Sequence, residues 1–201
     1  MSLNIRGFGI GGPDDKVGWV RRLISKEKPS FLALQETRLN IVEDRWIHYL
    51  WGSTECCFIQ LEMVGLAGGQ LLIWDTNCFE ALDVIRFNVE WVIGVQGKWK
   101  DSGEGLNVIN VHGPHDDEKK VQLWDELSLK LANNNEAVIL CGDFNEVRHG
   151  NERFNCEFVE YRARRFNDFI SNNCLLDIPM GGRNFTRVSD DGVKFSKLDR
   201  F

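Results

Sequence analysis

The chain has 201 residues, 43% of them apolar and 27% charged, with a formal net charge of −6. That balance suits one globular domain with a sizeable core, and it excludes disorder, collagen-like repeats and binding of a polyanion by a broad cationic face alone. No apolar run approaches the roughly 18–20 residues that span a bilayer, and the first dozen residues lack a basic stretch followed by an apolar block. A soluble, unsecreted protein, nuclear or cytoplasmic and without a membrane partner, is therefore expected.

In chain order, residues 2–5 predict a strand and 15–26 a helix, where Val17, Val20 and Ile24 recur near a period of 3.6. Strands are predicted over 31–35, 56–63, 70–74, 82–87, 91–100 and 106–111, most of them rich in Val, Ile, Leu, Phe or Trp. A helix follows over 119–132, preceded by Asp116 and Asp117 as N-cap candidates and ended by the Asn133-Asn134-Asn135 run. Residues 137–141 predict a further strand, and 160–172 a helix with Phe166, Phe169 and Ile170 on one stripe. Many strands with few helices between them predict a layered α/β sandwich, and no linker divides the chain. The six cysteines form no C-x-x-C pair and are expected as reduced thiols, and most of the seven Trp are expected in the core. Charge is uneven: residues 1–145 carry 14 Lys and Arg against 21 Asp and Glu, whereas residues 146–201 carry 10 against 9. Any polyanion contact is thus expected toward the C-terminal side.

Four apolar runs end abruptly in polar clusters: Leu3-Asn4-Ile5-Arg6-Gly7, Leu34-Gln35-Glu36-Thr37-Arg38, Val111-His112-Gly113-Pro114-His115 and Cys141-Gly142-Asp143-Phe144-Asn145. Singly, an Asp or Asn after a buried strand is more often a turn former or helix cap than a ligand. Together they suggest a site. A hard divalent cation takes one or two carboxylates and completes its shell with water and phosphate oxygen. Glu36 and Asp143, with Asn4 and Asn145 as carboxamide partners, would make such an acidic well.

The segments SLNIRG, LALQETR, GGQLLIW, INVHGPH, CGDFNEVR and FSKLDRF, in this order, resemble the endonuclease/exonuclease/phosphatase superfamily. The likeness is greatest to the N-terminal endonuclease domain of plant LINE-type, non-LTR retrotransposon polyproteins. It implies a four-layer α/β sandwich: two mostly antiparallel sheets packed face to face, with helices outside. It also implies Mg²⁺-dependent nicking of DNA, with Mn²⁺ as an alternative ion. In such relatives the nick leaves a 3′-hydroxyl for a reverse transcriptase linked in cis, the RNA-directed DNA polymerase of the parent protein.

By motif position, Glu36 resembles the principal metal carboxylate and Asn4 the carboxamide near that metal. Asp143 resembles the group that positions or activates the attacking water, and Asn145 the amide that holds the scissile phosphate. Asp199 in KLDRF resembles the aspartate that orients a catalytic histidine. That histidine lies, in the family, in a later serine-aspartate-histidine segment, so residues 1–201 are expected to be a C-terminally truncated domain with weak or no activity. His112 falls where relatives carry a phosphate-contacting Tyr, and His115 where they carry Asn. Arg6 falls where several carry an acidic or amide residue, which favours a single metal. Thr186 resembles a position near the DNA backbone, equally a plain strand residue. Arg148, Arg183, Arg187 and Lys197 are candidate phosphate contacts. Two rivals stay open: a phosphatase of the same superfamily acting on small esters or lipid headgroups, and a catalytically dead remnant that binds nucleic acid. Oligomeric state is left open.

Overall fold

The computed structural model describes residues 1–8, 16–64, 67–179 and 184–201. Two mixed, mostly antiparallel sheets pack face to face. The first has the order β1-β2-β4-β3, built from β1 (Ser2–Asn4), β2 (Phe31–Gln35), β3 (Cys56–Val64) and β4 (Ala67–Asp75). The second has the order β12-β8-β7-β6-β5, from β5 (Phe79–Ile85), β6 (Val92–Trp99), β7 (Gly105–His112), β8 (Ala137–Asp143) and β12 (Asp199–Arg200). Only β1 with β2 and β7 with β8 run parallel in these sheets. A small antiparallel sheet joins β9 (Arg153–Phe154), β10 (Arg187–Val188) and β11 (Phe195–Ser196).

Period-2 alternation sorts each strand's side chains between layers. Leu32 and Leu34 of β2 face one way, into a cluster with Val20, Ile24, Ile47 and Leu50 of α1 (Lys16–Glu27) and α2 (Asp44–Trp51). Ala33 between them joins Leu72, Ile93, Val95 and Val108 in the layer between the sheets. On β7, Ile109 and Val111 meet Leu123, Trp124, Leu127, Phe166 and Phe169 of α3 (Asp117–Ala132) and α4 (Glu160–Asn172). The result is the four-layer sandwich expected from the resemblance.

All predicted strands form, with shifted ends: the fifth starts at Phe79, and β8 runs on to Asp143. The first helix is described from Lys16, and Asp15 lies outside the described residues. Of the two N-cap candidates for α3, Asp116 takes the role, accepting from the Lys119 N–H at 3.0 Å, and Asp117 opens the first turn. Among the described residues three sets of elements go beyond the expected ones: the eight-residue α2, the two-residue strands β9 to β12, and a 3₁₀ helix over Gly150–Glu152.

Three strand ends carry the polar clusters into place. β1 and β2 pair with Asn4 opposite Gln35, and Ile5 N–H continues to Gln35 O at 3.1 Å. At each end the chain turns through a left-handed residue that is not glycine: Arg6 (φ 48°), Glu36 (φ 51°) and Asn145 (φ 49°). Such conformations cost about 1–2 kcal/mol and persist only where neighbours enforce them. Around Glu36 the enforcement is visible: its carbonyl accepts from Gly7 N–H at 2.6 Å, and Thr37 N–H donates to Gly69 O at 3.0 Å. Before Asp143 only glycine fits, since a Cβ on Gly142 (φ 142°) would sit 1.9 Å from Val111 O.

Candidate active site

Asp143 closes β8, and Glu36 comes directly after β2. Asn4, the last residue of β1, joins them: its Nδ2 donates to Glu36 Oε1 at 2.8 Å and to Asp143 Oδ2 at 2.9 Å. The other Asp143 oxygen accepts from Asn145 N–H at 2.9 Å, which fixes the carboxylate against its own loop. Asn145 Nδ2 in turn donates to Gly113 O at 2.7 Å, tying this loop to the one after β7. Glu36, Asp143, Asn4 and Asn145 line a hollow of about 550 Å³, together with His115, Thr186 and Asp199.

Among the described residues no group of three or more His, Cys, Asp or Glu converges as a ligand set. Two carboxylates in a polar hollow still suit Mg²⁺, which keeps several waters and binds few protein groups. Among the described residues Glu36 Oε2 accepts no hydrogen bond, with the Arg38 guanidinium 3.9 Å away. In this structure the Asn4 amide nitrogen faces the carboxylates while its oxygen accepts from Arg6 N–H at 3.2 Å, so Asn4 clamps the acidic pair.

His112 lies beside Asp143 across the β7–β8 pairing, with Nε2 3.7 Å from Glu36 Oε1, beyond hydrogen-bond range. Burial holds its pKa below the usual 6.5 against the pull of Asp143 and Glu36, and His115 adds to the lowering. The ring is therefore neutral at pH 7. Asp199 stands opposite Asp143 across the β12–β8 pairing. Burial first, and then the Asp143 charge, push its pKa up to about 6, while a hydrogen bond with Thr186 opposes the rise. Among the described residues no histidine is hydrogen-bonded to Asp199.

Thr186 lines the hollow, but its hydroxyl accepts from Leu198 N–H at 3.0 Å and Asp199 N–H at 3.1 Å, so it orients Asp199 instead of standing free for phosphate. Arg148 does not line the hollow. Its Nε donates to Asn167 Oδ1 at 2.8 Å and its Nη1 to Asp177 Oδ2 at 3.3 Å, which anchors it beside α4 and away from the hollow. Lys197 is likewise held between Glu152 and Asp177, at 3.8 and 3.7 Å. Arg187 does line the hollow, and Arg183 lies outside the described residues.

Arg6 lines the hollow too. Two contributors escape a reading of the sequence. Trp19 lines the hollow. Buried Lys120 pairs with Glu146 at 2.6 Å and donates to Asn145 O at 2.8 Å, pinning the loop that carries Asn145. A lysine one position before the apolar Val121 of a predicted helix, with a glutamate after GDFN, is the only signal of that pair.

Residues 1–162 match the family model described as Endonuclease/Exonuclease/phosphatase family. Among curated proteins none matches the sequence. Solved structures share the fold. The 3′ phosphatase NExo from Neisseria, bound to a product DNA hairpin, is 16% identical with a TM-score of 0.71, over 99% of this chain and 83% of its own. The AP endonuclease of Leishmania major is 15% identical, with a TM-score of 0.68, over 90% of this chain and 72% of its own. The mannosyl-6-phosphatase of Bacteroides thetaiotaomicron is 17% identical, with a TM-score of 0.64, over 99% and 82%.

Proposed function

Because the chain belongs to the endonuclease/exonuclease/phosphatase family, we propose that its acidic hollow hydrolyses phosphodiester bonds of DNA with one divalent cation, Mg²⁺ or Mn²⁺. The observation that carries this reading is the Asn4 clamp, which brings Glu36 and Asp143 from distant parts of the chain into one cavity. Glu36 would hold the cation, with Asp143 beside it. Once bound, the cation supplies Lewis-acid stabilisation of negative charge on phosphate oxygen. Asp143 orients the attacking water and takes up its proton. Asn145, neutral His112 and Arg187 offer donors to the charge that builds on the phosphorus oxygens. Asp199 would orient a general acid; among the described residues no imidazole is bonded to it, and catalysis without one is expected to be about two to four orders of magnitude slower.

INVHGPH and FSKLDRF support the retroelement branch: a LINE-type nicking domain whose partners are DNA and a reverse transcriptase in cis. The second reading, a phosphatase for small esters, is supported by the fold shared with a mannosyl-6-phosphatase and by a hollow roomy enough for a sugar phosphate.

The test incubates the protein with supercoiled plasmid, and separately with sugar phosphates, in Mg²⁺. Slow nicking that Glu36→Ala lowers at least a thousandfold, with calorimetric Mn²⁺ binding lost in the same variant, is expected. Phosphate release from esters without nicking would overturn the nuclease reading. Absence of both activities and of Mn²⁺ binding would leave the non-catalytic remnant.

A further inference from the structure

Beside the acidic hollow lies a second cavity, of about 220 Å³, and the two share His115, Asn145 and Arg187 as a common wall. Its chemistry is the reverse of its neighbour's. Lys120, Arg153, Arg162, Arg187 and Lys194 line it, and no carboxylate does, in a chain whose formal charge is −6. Three carboxylates act on these cations from outside the lining. Glu146 pairs with Lys120 at 2.6 Å and lies 3.9 Å from Arg153, Asp117 lies 2.8 Å from Arg162, and Asp191 feels the charge of Lys194. The cations still outnumber them.

Donor capacity is also left over. Among the described residues the Arg187 guanidinium makes no ion pair or hydrogen bond, and the Lys194 ammonium makes no hydrogen bond. Arg153 Nε is buried without a partner. A cavity of this size has room for one phosphate group, and guanidinium forks with an ammonium are the groups that match phosphate oxygens.

We infer that this basic cavity receives the phosphate next to the one hydrolysed, so that the preferred substrate is a strand with consecutive phosphates. The inference rests on the nuclease reading above and deepens it. A strand whose scissile phosphate sits over Glu36 and Asp143 must carry its neighbouring phosphate out past a wall, and the wall at His115, Asn145 and Arg187 opens on a cationic pocket. A sugar monophosphate has nothing to place there.

Lys194 lines this cavity and not the hollow, and it is exposed, so Lys194→Gln tests the cavity without touching the core or the scissile site. The measurement is anisotropy of a fluorescein-labelled DNA duplex in EDTA, between about 50 and 200 mM salt. At the lowest salt Lys194→Gln is expected to bind roughly fivefold more weakly. Its plot of log affinity against log salt should be shallower by about 0.9, the signature of one lost phosphate contact. Lys100→Gln, an exposed lysine just past β6, should change neither value. If wild type binds and Lys194→Gln keeps both affinity and slope, or if Lys100→Gln loses as much, the cavity is not a phosphate site and the nuclease reading stands. A wild type that does not bind duplex removes both.

Discussion

Two regions deliver the site, and they are held by different forces. Asn4, Glu36 and Asp143 sit at the ends of strands in extended ladders, and β2 beneath Glu36 is pinned to the second sheet by a buried polar node. There Asn110 accepts from Gln35 Nε2 at 2.6 Å and donates to Leu34 O and Leu71 O at 3.1 Å. Thr186 and Asp199, by contrast, hang on two-residue ladders. What fixes that region is charge: buried Arg200, next to Asp199, is hydrogen-bonded to both Asp177 and Glu152. The acidic pair is thus secured by backbone pairing common to the whole sandwich, while the side that carries Thr186 and Asp199 depends on a few ion pairs.

Breaking the ion pairs should have the largest effect on stability. Among the described residues Arg200→Ala leaves Asp177 and Glu152 with only Arg148 and Lys197 as ion-pair partners, and a loss of about 3 to 5 kcal/mol is expected in urea unfolding. Mn²⁺ affinity at Glu36 should survive it; a parallel loss would show that the two regions are not separable.

Asp199→Asn should move stability the other way. The carboxyl is raised from 3.8 to about 6 in the fold, so folding favours its protonated form. That contribution is fully present below about pH 3.8 and is lost as pH rises through about 6, which amounts to about 3 kcal/mol by linkage. His112 has the opposite sign: its lowered pKa makes stability rise with pH up to 6.5. The comparison therefore lies in the difference between variant and wild type. Its melting temperature should gain steadily between pH 4 and 7, and a constant offset would refute the assigned cause.

Asn110→Ala tests the other region. Removing the polar node is expected to cost about 2 kcal/mol, since the Gln35 amide and two strand carbonyls lose a partner. Unlike Arg200→Ala, it should also weaken Mn²⁺ binding, because Gln35 precedes Glu36. The smallest effect belongs to Thr186→Val, about 1 kcal/mol from the lost hydroxyl bonds. Its sharper readout is Asp199 itself, whose carboxyl titration, followed by carbon NMR, should move above about 6. No movement there would mean that the hydroxyl does not hold the carboxylate.

The same contrast explains which parts of the molecule are legible in the sequence. Long apolar runs such as 31–35 and 106–111 carry their own signal, because burial on both faces leaves a nearly continuous apolar stretch, and the polar residues that close them are visible with them. The eight-residue α2 is not legible although Trp46, Ile47, Leu50 and Trp51 repeat at helical spacing, since so short a segment rich in aromatic residues resembles a strand equally well. Strands of two residues have no periodicity at all. Arg148 looks free in the sequence because its partner Asp177 is far along the chain, and ion pairing between distant residues leaves no local trace. Asp199 is reached through family likeness alone.

The Asn4 amide has a consequence for how the acidic pair behaves through time. Two like charges brought together by folding repel, and each would swing toward solvent if released. A carboxamide rooted in a strand supplies two fixed N–H dipoles between them, one to each, so their spacing does not depend on any mobile counter-ion. The gap is set by the strand that carries Asn4, and the cation proposed above would meet it already formed.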